Sequence, residues 1–259
     1  VVEKGALGPG QMIAVDMKEG ALFHDTELKD RLAAAQPFGE WVGKITELGD
    51  VLAAVTEEPM FEGEALRKRQ IAAGYTMEEL EQMLAPMCED AKEALASMGD
   101  DTPSAVLSKK YRPLSHYFRQ NFSQVTNPPI DSLREFRVMS LKTRFGNLKN
   151  VLDQSSAQTE IIVLESPFVG NAQWSELTRH FNASLVEIDC TFEAGAGENA
   201  LRDALASVRQ QAEDAVRSGA GHLVLTDHLQ DNARAAIPMI LATSAVHSWL
   251  TRKGLRTFC

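Results

Sequence analysis

The chain has 259 residues, with 26 Lys and Arg against 36 Asp and Glu, a formal net charge of −10. A hydrophobic fraction of 44% with 24% charged residues excludes a globally disordered chain and a small stapled scaffold. The acid excess excludes a general binder of nucleic acid or of an anionic membrane, because a phosphate surface requires a basic face.

No apolar run reaches the roughly 18 residues that a membrane-spanning helix needs. The opening Val1-Val2-Glu3-Lys4-Gly5 lacks the charged start and apolar core of a signal peptide. The cysteines, Cys88, Cys190 and Cys259, are far apart and odd in number. That pattern fits a reducing, cytoplasmic setting and neither a disulfide framework nor a metal knuckle. The sequence opens inside a continuing segment and stops one step into a predicted strand, so we expect it to be part of a longer polypeptide.

Residues 1–30 form an extended piece. Gly8-Pro9-Gly10 is turn chemistry. Met12 to Met17 is a short apolar strand that ends at the Lys18-Glu19-Gly20 turn, with Leu22-Phe23 as a hairpin partner. The carboxylates that follow, with Lys29-Asp30-Arg31, open a helix.

Residues 31–150 are predicted to be mainly helical and connecting. Thr76 and Glu79 fit a capping box, in which hydroxyl and carboxylate satisfy orphan amide donors reciprocally. Leu80, Met83, Leu84, Met87, Ala91, Ala94, Leu95 and Met98 then recur at steps of three and four, which predicts one buried stripe. Pro86 should kink that helix, and Gly99-Asp100-Asp101 should end it. A second helix is predicted over Leu114 to Phe122. Gln124 to Asp131 must be non-helical, since Pro128-Pro129 fixes φ and pushes Asn127 into an extended conformation.

Residues 151–259 alternate between strand and helix periods. Ile161 to Leu164, Ser184 to Asp189 and His222 to Asp227 are predicted strands. Glu198 to Ser218 is a predicted helix with Leu201, Leu205, Val208, Ala212 and Ala215 on one face and Gly219 just past its end. Ile237 to Lys253 is a second, with Pro238 near its start and Gly254 beyond it. It is apolar on most faces, which predicts deep burial. Leu255 onward is predicted to begin another strand. The expected fold class is α/β: a helical connector followed by a small parallel sheet built from β-α-β units, with a short N-terminal β piece.

Few motifs carry chemistry. Gly195-Ala196-Gly197-Glu198-Asn199-Ala200 matches the relaxed dinucleotide fingerprint between a strand and a helix. Against it, four residues separate the strand from the first glycine, and the acidic Asp227 lies further on than the usual spacing of about 20. Glu193 and Glu198 would also repel an anion. A plain loop is the preferred reading, and an α/β nucleotide-binding module using Gly195 to Ala200 is kept as the alternative. Asp227-His228 ends a strand where α/β proteins place ligands, but a capping Asp with a surface His is the preferred reading. The remaining histidines, His24, His116, His180, His222 and His247, show no ligand spacing. Arg67-Lys68-Arg69 is read as a solvated basic turn, and Cys88 and Cys190 as small buried apolar residues.

Several segments together resemble the glutamate synthase family, in the family's order. They are Lys4-Gly5-Ala6-Leu7-Gly8-Pro9-Gly10-Gln11-Met12, Ala73-Gly74-Tyr75-Thr76 and Met98-Gly99-Asp100-Asp101-Thr102-Pro103. Then come Gln124-Val125-Thr126-Asn127-Pro128-Pro129-Ile130-Asp131, Glu165-Ser166-Pro167, Ala236-Ile237-Pro238 and Arg252-Lys253-Gly254-Leu255-Arg256-Thr257. The Gln-Val-Thr-Asn-Pro and Met-Gly-Asp-Asp stretches are the specific ones, and residues 150–235 match more loosely.

The resemblance implies a large chain that makes two glutamates from glutamine, 2-oxoglutarate and a reductant. An N-terminal glutaminase domain releases ammonia, and a β/α barrel with FMN and a three-iron, four-sulfur cluster uses it. On that view residues 1–30 are the tail of the glutaminase domain, 31–150 the connector and 151–259 the α/β central domain. The partners implied are the glutaminase and FMN-barrel domains of the same chain, with a small reductase subunit or ferredoxin; the sequence does not choose between NADPH, NADH and ferredoxin. No catalytic, cofactor-binding or metal residue of the family maps onto this chain, whose residue 1 is Val1 and whose cysteines form no cluster set. Thr126 and Asn127 are the candidates for lining the buried ammonia tunnel.

Overall fold

The computed structural model describes residues 1, 3–51, 61–91, 105–109, 112–118 and 129–259. The chain divides into two compact units that cut across sequence order: residues 1–51 with 143–165, and 52–142 with 166–259.

The first unit opens with a hairpin. Strands β1 (Ala14–Asp16) and β2 (Ala21–Phe23) pair antiparallel, Ala14 opposite Phe23. The turn is closed by Asp16, whose carboxylate accepts from the backbone amides of Lys18 and Glu19 at 2.8 and 3.0 Å. Helix α1 (Asp25–Ala33) follows, and its Arg31 grips Glu19 through two hydrogen bonds while lying over the Phe23 ring. Helix α2 (Phe38–Val42), strand β3 (Thr46–Glu47) and helix α3 (Leu48–Val51) lead to the unit's second sheet. In that sheet β5 (Ile162–Leu164) is central, parallel to β3 and antiparallel to β4 (Thr143–Phe145). All three β5 residues are buried, as a continuous apolar run predicts for a strand covered on both faces. Gly146 has a geometric reason to be glycine: a Cβ there would come within 2.8 Å of Ile161 Cγ2.

The second unit holds the remaining elements. Helix α4 (Gly63–Ala72) carries Arg67, Lys68 and Arg69 on a solvated helix, where the sequence suggested a turn. The capping box at Thr76 is present, with Thr76 N donating to Glu79 at 2.8 Å and Glu79 N to the Thr76 hydroxyl at 3.2 Å. The expected helix, however, winds as a π-helix over Glu79–Leu84 before α5 (Ala85–Asp90). Pro86, expected to kink the helix, removes a donor and crowds the preceding turn, and the wider winding lies directly before it. Ala91, left-handed at φ 51°, stops α5. Met83, Leu84, Met87 and Cys88 are exposed, so the predicted stripe is not buried here; Ala94, Leu95, Met98 and the Gly99-Asp100-Asp101 stop lie outside the described residues. The predicted helix at Leu114 is a 3-10 turn ending at Tyr117. In the non-helical segment only Pro129 to Asp131 are described, and Asp131 caps α6 (Ser132–Val138) by accepting from Leu133 and Arg134 amides.

After α7 (Asn171–Phe181), β6 (Leu185–Asp189) pairs parallel with β8 (His222–Thr226), joined through α8 (Ala200–Arg217). Strands β7 (Thr191–Glu193) and β9 (Arg234–Ala236) pair antiparallel. The core gathers Ile188, Cys190, Val208, Ala212, Val216, Ile237, Ala242, Val246 and Leu250. Both long helices end in the same Schellman arrangement. Gly219 and Gly254, at φ 99° and 68°, let the chain fold back, so that Ala220 N reaches Ala215 O and Leu255 N reaches Leu250 O. That reversal turns Leu255 onto the end of α9 (Met239–Arg252) and into a 3-10 turn, Arg256–Phe258, where a strand was predicted. Helix α9 itself buries only the stripe Ala242, Val246 and Leu250, and Ile240 is half exposed.

The secondary structure is therefore α/β, but the strands form four small sheets among the described residues. Ile161 to Leu164 does not join Ser184 to Asp189, because β3 and β4 supply its partners. Leu250 is 1% exposed at the end of the α9 stripe. Leu250→Ala should lower the free energy of unfolding by about 3 kcal/mol, through lost transfer energy and a residual cavity. Denaturant titration of the two proteins measures the difference.

Candidate functional site

The ends of the parallel strands carry the second unit's polar chemistry. β6 delivers Asp189 and β8 delivers Thr226 and Asp227 at one end of the pair. Asp189 Oδ1 accepts from the Thr191 amide at 2.9 Å and from its hydroxyl at 2.7 Å. On β9, Arg234 donates to Asp189 Oδ2 at 2.5 Å, to Thr191 Oγ1 at 2.7 Å and to Thr191 O at 3.2 Å. Burial pushes the Asp189 carboxyl up, but the two Thr191 bonds and then the Arg234 guanidinium outweigh it, and the net shift is downward. Next to it, burial pushes the Cys190 thiol up to about 11, with Asp189 and Asp227 adding to the effect. That thiol is an inert core residue at neutral pH.

This network floors a cavity of about 550 Å³ that is also lined by Glu193, Asp203 and, from the loop of the sequence fingerprint, Ala196 and Ala200. A phosphate cradle needs uncompensated donors and positive charge. Here the one cation, Arg234, is committed to Asp189, while Glu193 and Asp203 add negative charge. Gly195 and Gly197 are left-handed, with open space where a Cβ would be, which suits a reversing loop. The residues present do not fit FMN or a dinucleotide.

Asp227 lines a second cavity, of about 570 Å³, with Gln230, Ser115, Pro238 and segments Ile71–Ala73 and Ala235–Ile240. Gln230 Nε2 donates to Ala72 O at 3.2 Å and holds the end of α4 against that wall. His228 turns back onto its own strand, with Nδ1 2.6 Å from Thr226 Oγ1. Asp227 therefore lines this cavity while its neighbour His228 bonds its own strand. Among the described residues, no group of three His, Cys, Asp or Glu is placed to hold a metal ion. Cys190 is in the core, Cys259 packs against that core, and Cys88 is exposed on α5. The three thiols do not fit an iron–sulfur cluster.

One polar centre escaped the sequence reading. Glu213 lies in the buried stripe of α8 between Ala212 and Val216, 7% exposed. It accepts from Arg217 Nε at 2.9 Å and from Trp249 Nε1 of α9 at 2.8 Å, and Lys253 stands 3.6 Å away. The Arg217 bond holds its carboxyl below the usual range against the opposing effect of burial, and Trp249 and Lys253 add to that. The i,i+4 spacing to Arg217 was the only trace of this in the sequence. Thr126 and Asn127, the tunnel candidates, lie outside the described residues. No described helix is long and apolar enough to cross a membrane.

Comparison with known proteins adds the context these cavities lack. The family model for the glutamate synthase central domain matches residues 68–259, and that for class-II glutamine amidotransferases matches residues 1–41. The glutamate synthase (NADPH) large chain of Azospirillum brasilense is 56% identical over 261 residues, covering 100% of this chain and 17% of the relative. Ferredoxin-dependent glutamate synthase 2 of Synechocystis is 40% identical over 262 residues, 99% of this chain and 17% of the relative. Glutamate synthase (NADH) of Saccharomyces cerevisiae is 35% identical over 273 residues, 99% of this chain and 13% of the relative. The chain thus spans less than a fifth of the length of these relatives.

The Asp189 network has a pH signature. A carboxyl whose folded value lies below its ordinary 3.8 stabilises the fold above that pH, and the stabilisation is lost as pH falls through the folded value. In Arg234→Gln the carboxyl loses its cation and its folded value moves back up. The acid-unfolding midpoint of that variant, followed by circular dichroism, should shift to higher pH. An unchanged midpoint would show that the pair contributes nothing.

Proposed function

Because the chain belongs to the family of the glutamate synthase central domain, we propose that it is a scaffold within a larger glutamate synthase polypeptide. It joins a glutaminase domain to an FMN-carrying synthase barrel and helps wall the path of ammonia between them. The observation that carries this reading is the order of two matches on one chain, a class-II glutamine amidotransferase segment at 1–41 followed by the central domain at 68–259. In this reading residues 1–30 are the tail of the glutaminase domain, 31–150 the connector and 151–259 the central α/β domain. The hairpin and α1 pack as one piece through Arg31 and Glu19, as the closing element of a preceding domain would. Exposed apolar side chains at Leu133, Phe136 and Met139, on and beside α6, support a place inside a larger body.

The parent reaction is then the conversion of glutamine and 2-oxoglutarate, with a reductant, into two glutamates in the cytoplasm. FMN and the three-iron, four-sulfur cluster supply its redox chemistry, and they belong to other parts of that polypeptide, since neither the thiols nor the glycine loop here suits them. A small reductase subunit or ferredoxin delivers the electrons; the relatives' names include NADPH, NADH and ferredoxin types. This chain's contribution is geometric. A walled path keeps ammonia out of bulk water, where it would be protonated and lost as a nucleophile. The segment Gln124 to Asp131 suits such a wall, because adjacent prolines lose little further freedom on ordering. Thr126 and Asn127 add a hydroxyl and an amide able to hydrogen-bond a small polar guest.

A scaffold has no turnover of its own. The 259-residue chain should release no ammonia from glutamine above buffer, and should oxidise no reduced donor with 2-oxoglutarate. Activity in either assay would remove the scaffold assignment. In the full-length enzyme, Thr126→Val and Asn127→Leu should lower glutamine-dependent glutamate synthesis relative to glutaminase activity, with free ammonia appearing in solution. If folded variants keep the two activities coupled one to one, these side chains do not line the path.

A further inference from the structure

The far side of the α8–α9 pair has a charge opposite to that of the chain. Residues 235–259 contain three cationic side chains, Arg252, Lys253 and Arg256, and no Asp or Glu, in a chain of net charge −10. Arg209 of α8 and Arg252 and Lys253 at the end of α9 converge on one aromatic ring. Lys253 Nζ lies 4.5 Å from the Trp249 centroid, the Arg209 guanidinium 5.3 Å and the Arg252 guanidinium 6.0 Å. Arg217 joins them through Glu213, the one carboxylate of the group, which is itself buried. Glu213 is saturated by Arg217, Trp249 and Lys253. Arg209 and Arg252 have no carboxylate partner among the described residues, and Arg209 Nε is buried with no hydrogen-bond partner. A guanidinium near an indole and without a carboxylate partner keeps donors for an outside acceptor.

We infer that the surface around Trp249 is a docking site for the acidic surface of a separate protein, with Arg209 and Arg252 each taking a carboxylate of that partner. Three physical arguments select this occupant. Guanidinium forks match carboxylates bidentately, and Trp with Arg is the residue pair that dominates the centres of protein interfaces. The overall charge of −10 opposes an extended polyanion such as nucleic acid, while a small local patch can still meet a protein surface. A charged, half-solvated patch suits reversible association steered by electrostatics, whereas permanent contacts within one polypeptide resemble a core and suit the apolar side chains near α6.

The test is titration of a fluorescently labelled twelve-residue poly-glutamate peptide with the chain, followed by anisotropy. Saturable binding at 20 mM salt that weakens about tenfold at 200 mM is expected for exposed charge pairs. Arg209→Gln with Arg252→Gln should weaken it about tenfold again, the loss expected from removing two charge-assisted contacts. Arg252→Glu alone, at the exposed end of α9, gives the same direction without touching the α8–α9 packing. Arg179→Gln, whose residue pairs with Glu176 on α7, should bind like the parent. No binding at low salt, or binding indifferent to Arg252→Glu, overturns the proposal. Tighter patch-dependent binding of a twelve-nucleotide single-stranded DNA overturns the choice of a protein partner. The full-length polypeptide must bind the peptide as well; loss of binding there means that its own domains cover the patch.

Discussion

A carboxylate buried in a helix must find donors, and Glu213 finds them on two helices. An ionised carboxylate left unpaired in such a place is unfavourable, and α8 and α9 meet where Arg217, Trp249 and Lys253 can all reach it. Val208, Ala212 and Val216 of α8 then face Ala242, Val246 and Leu250 of α9 in one core. The same core takes Ile188 and Cys190 from the end of β6 and Ile237 from the start of α9. Once the helix pair is fixed, the strand ends are fixed with it, and Asp189, Thr191 and Arg234 close into their network.

This arrangement also separates two kinds of surface. At the strand ends, acids outnumber cations, and the one arginine of the glycine-loop cavity is neutralised by its own aspartate. Around Trp249 the balance is reversed. A chain that is acidic overall therefore gathers Arg209, Arg252 and Lys253 around one ring, on two helices joined through a buried acid. The Schellman ends of α8 and α9 reinforce this. Each reversal at a left-handed glycine satisfies the last carbonyls locally and returns the chain toward the core it has just left.

The local signals in the sequence were legible where they were self-contained. The hairpin, the capping box at Thr76, the two glycine stops and the long helices over 200–217 and 239–252 all depend on residues close in the chain. The signals failed where a partner from far away decided the outcome. Ile161 to Leu164 is a strand as its composition demands, but its neighbours come from residues 46–47 and 143–145, which no periodicity links to it. The methionine-rich stripe after Thr76 has helical spacing, yet its described methionines and Leu84 are exposed. Leu255 has strand composition, and the reversal at Gly254 claimed it first.

The functional reading divides along the same line. The sequence by itself determined membership: the ordered segments around Lys4 to Met12 and Ala236 to Pro238 mark one family, because covalent order along a chain survives without coordinates. It also showed that the glycine fingerprint sat among acids. Only the tertiary structure decided that Arg234 is consumed by Asp189, that Cys190 is sealed in a core, and that Glu213 draws three donors while Arg209 and Arg252 meet no carboxylate among the described residues. These are statements about which groups meet across 36 to 45 residues of chain. Desolvation and hydrogen bonding act on distance in space, and spacing in sequence does not encode that distance.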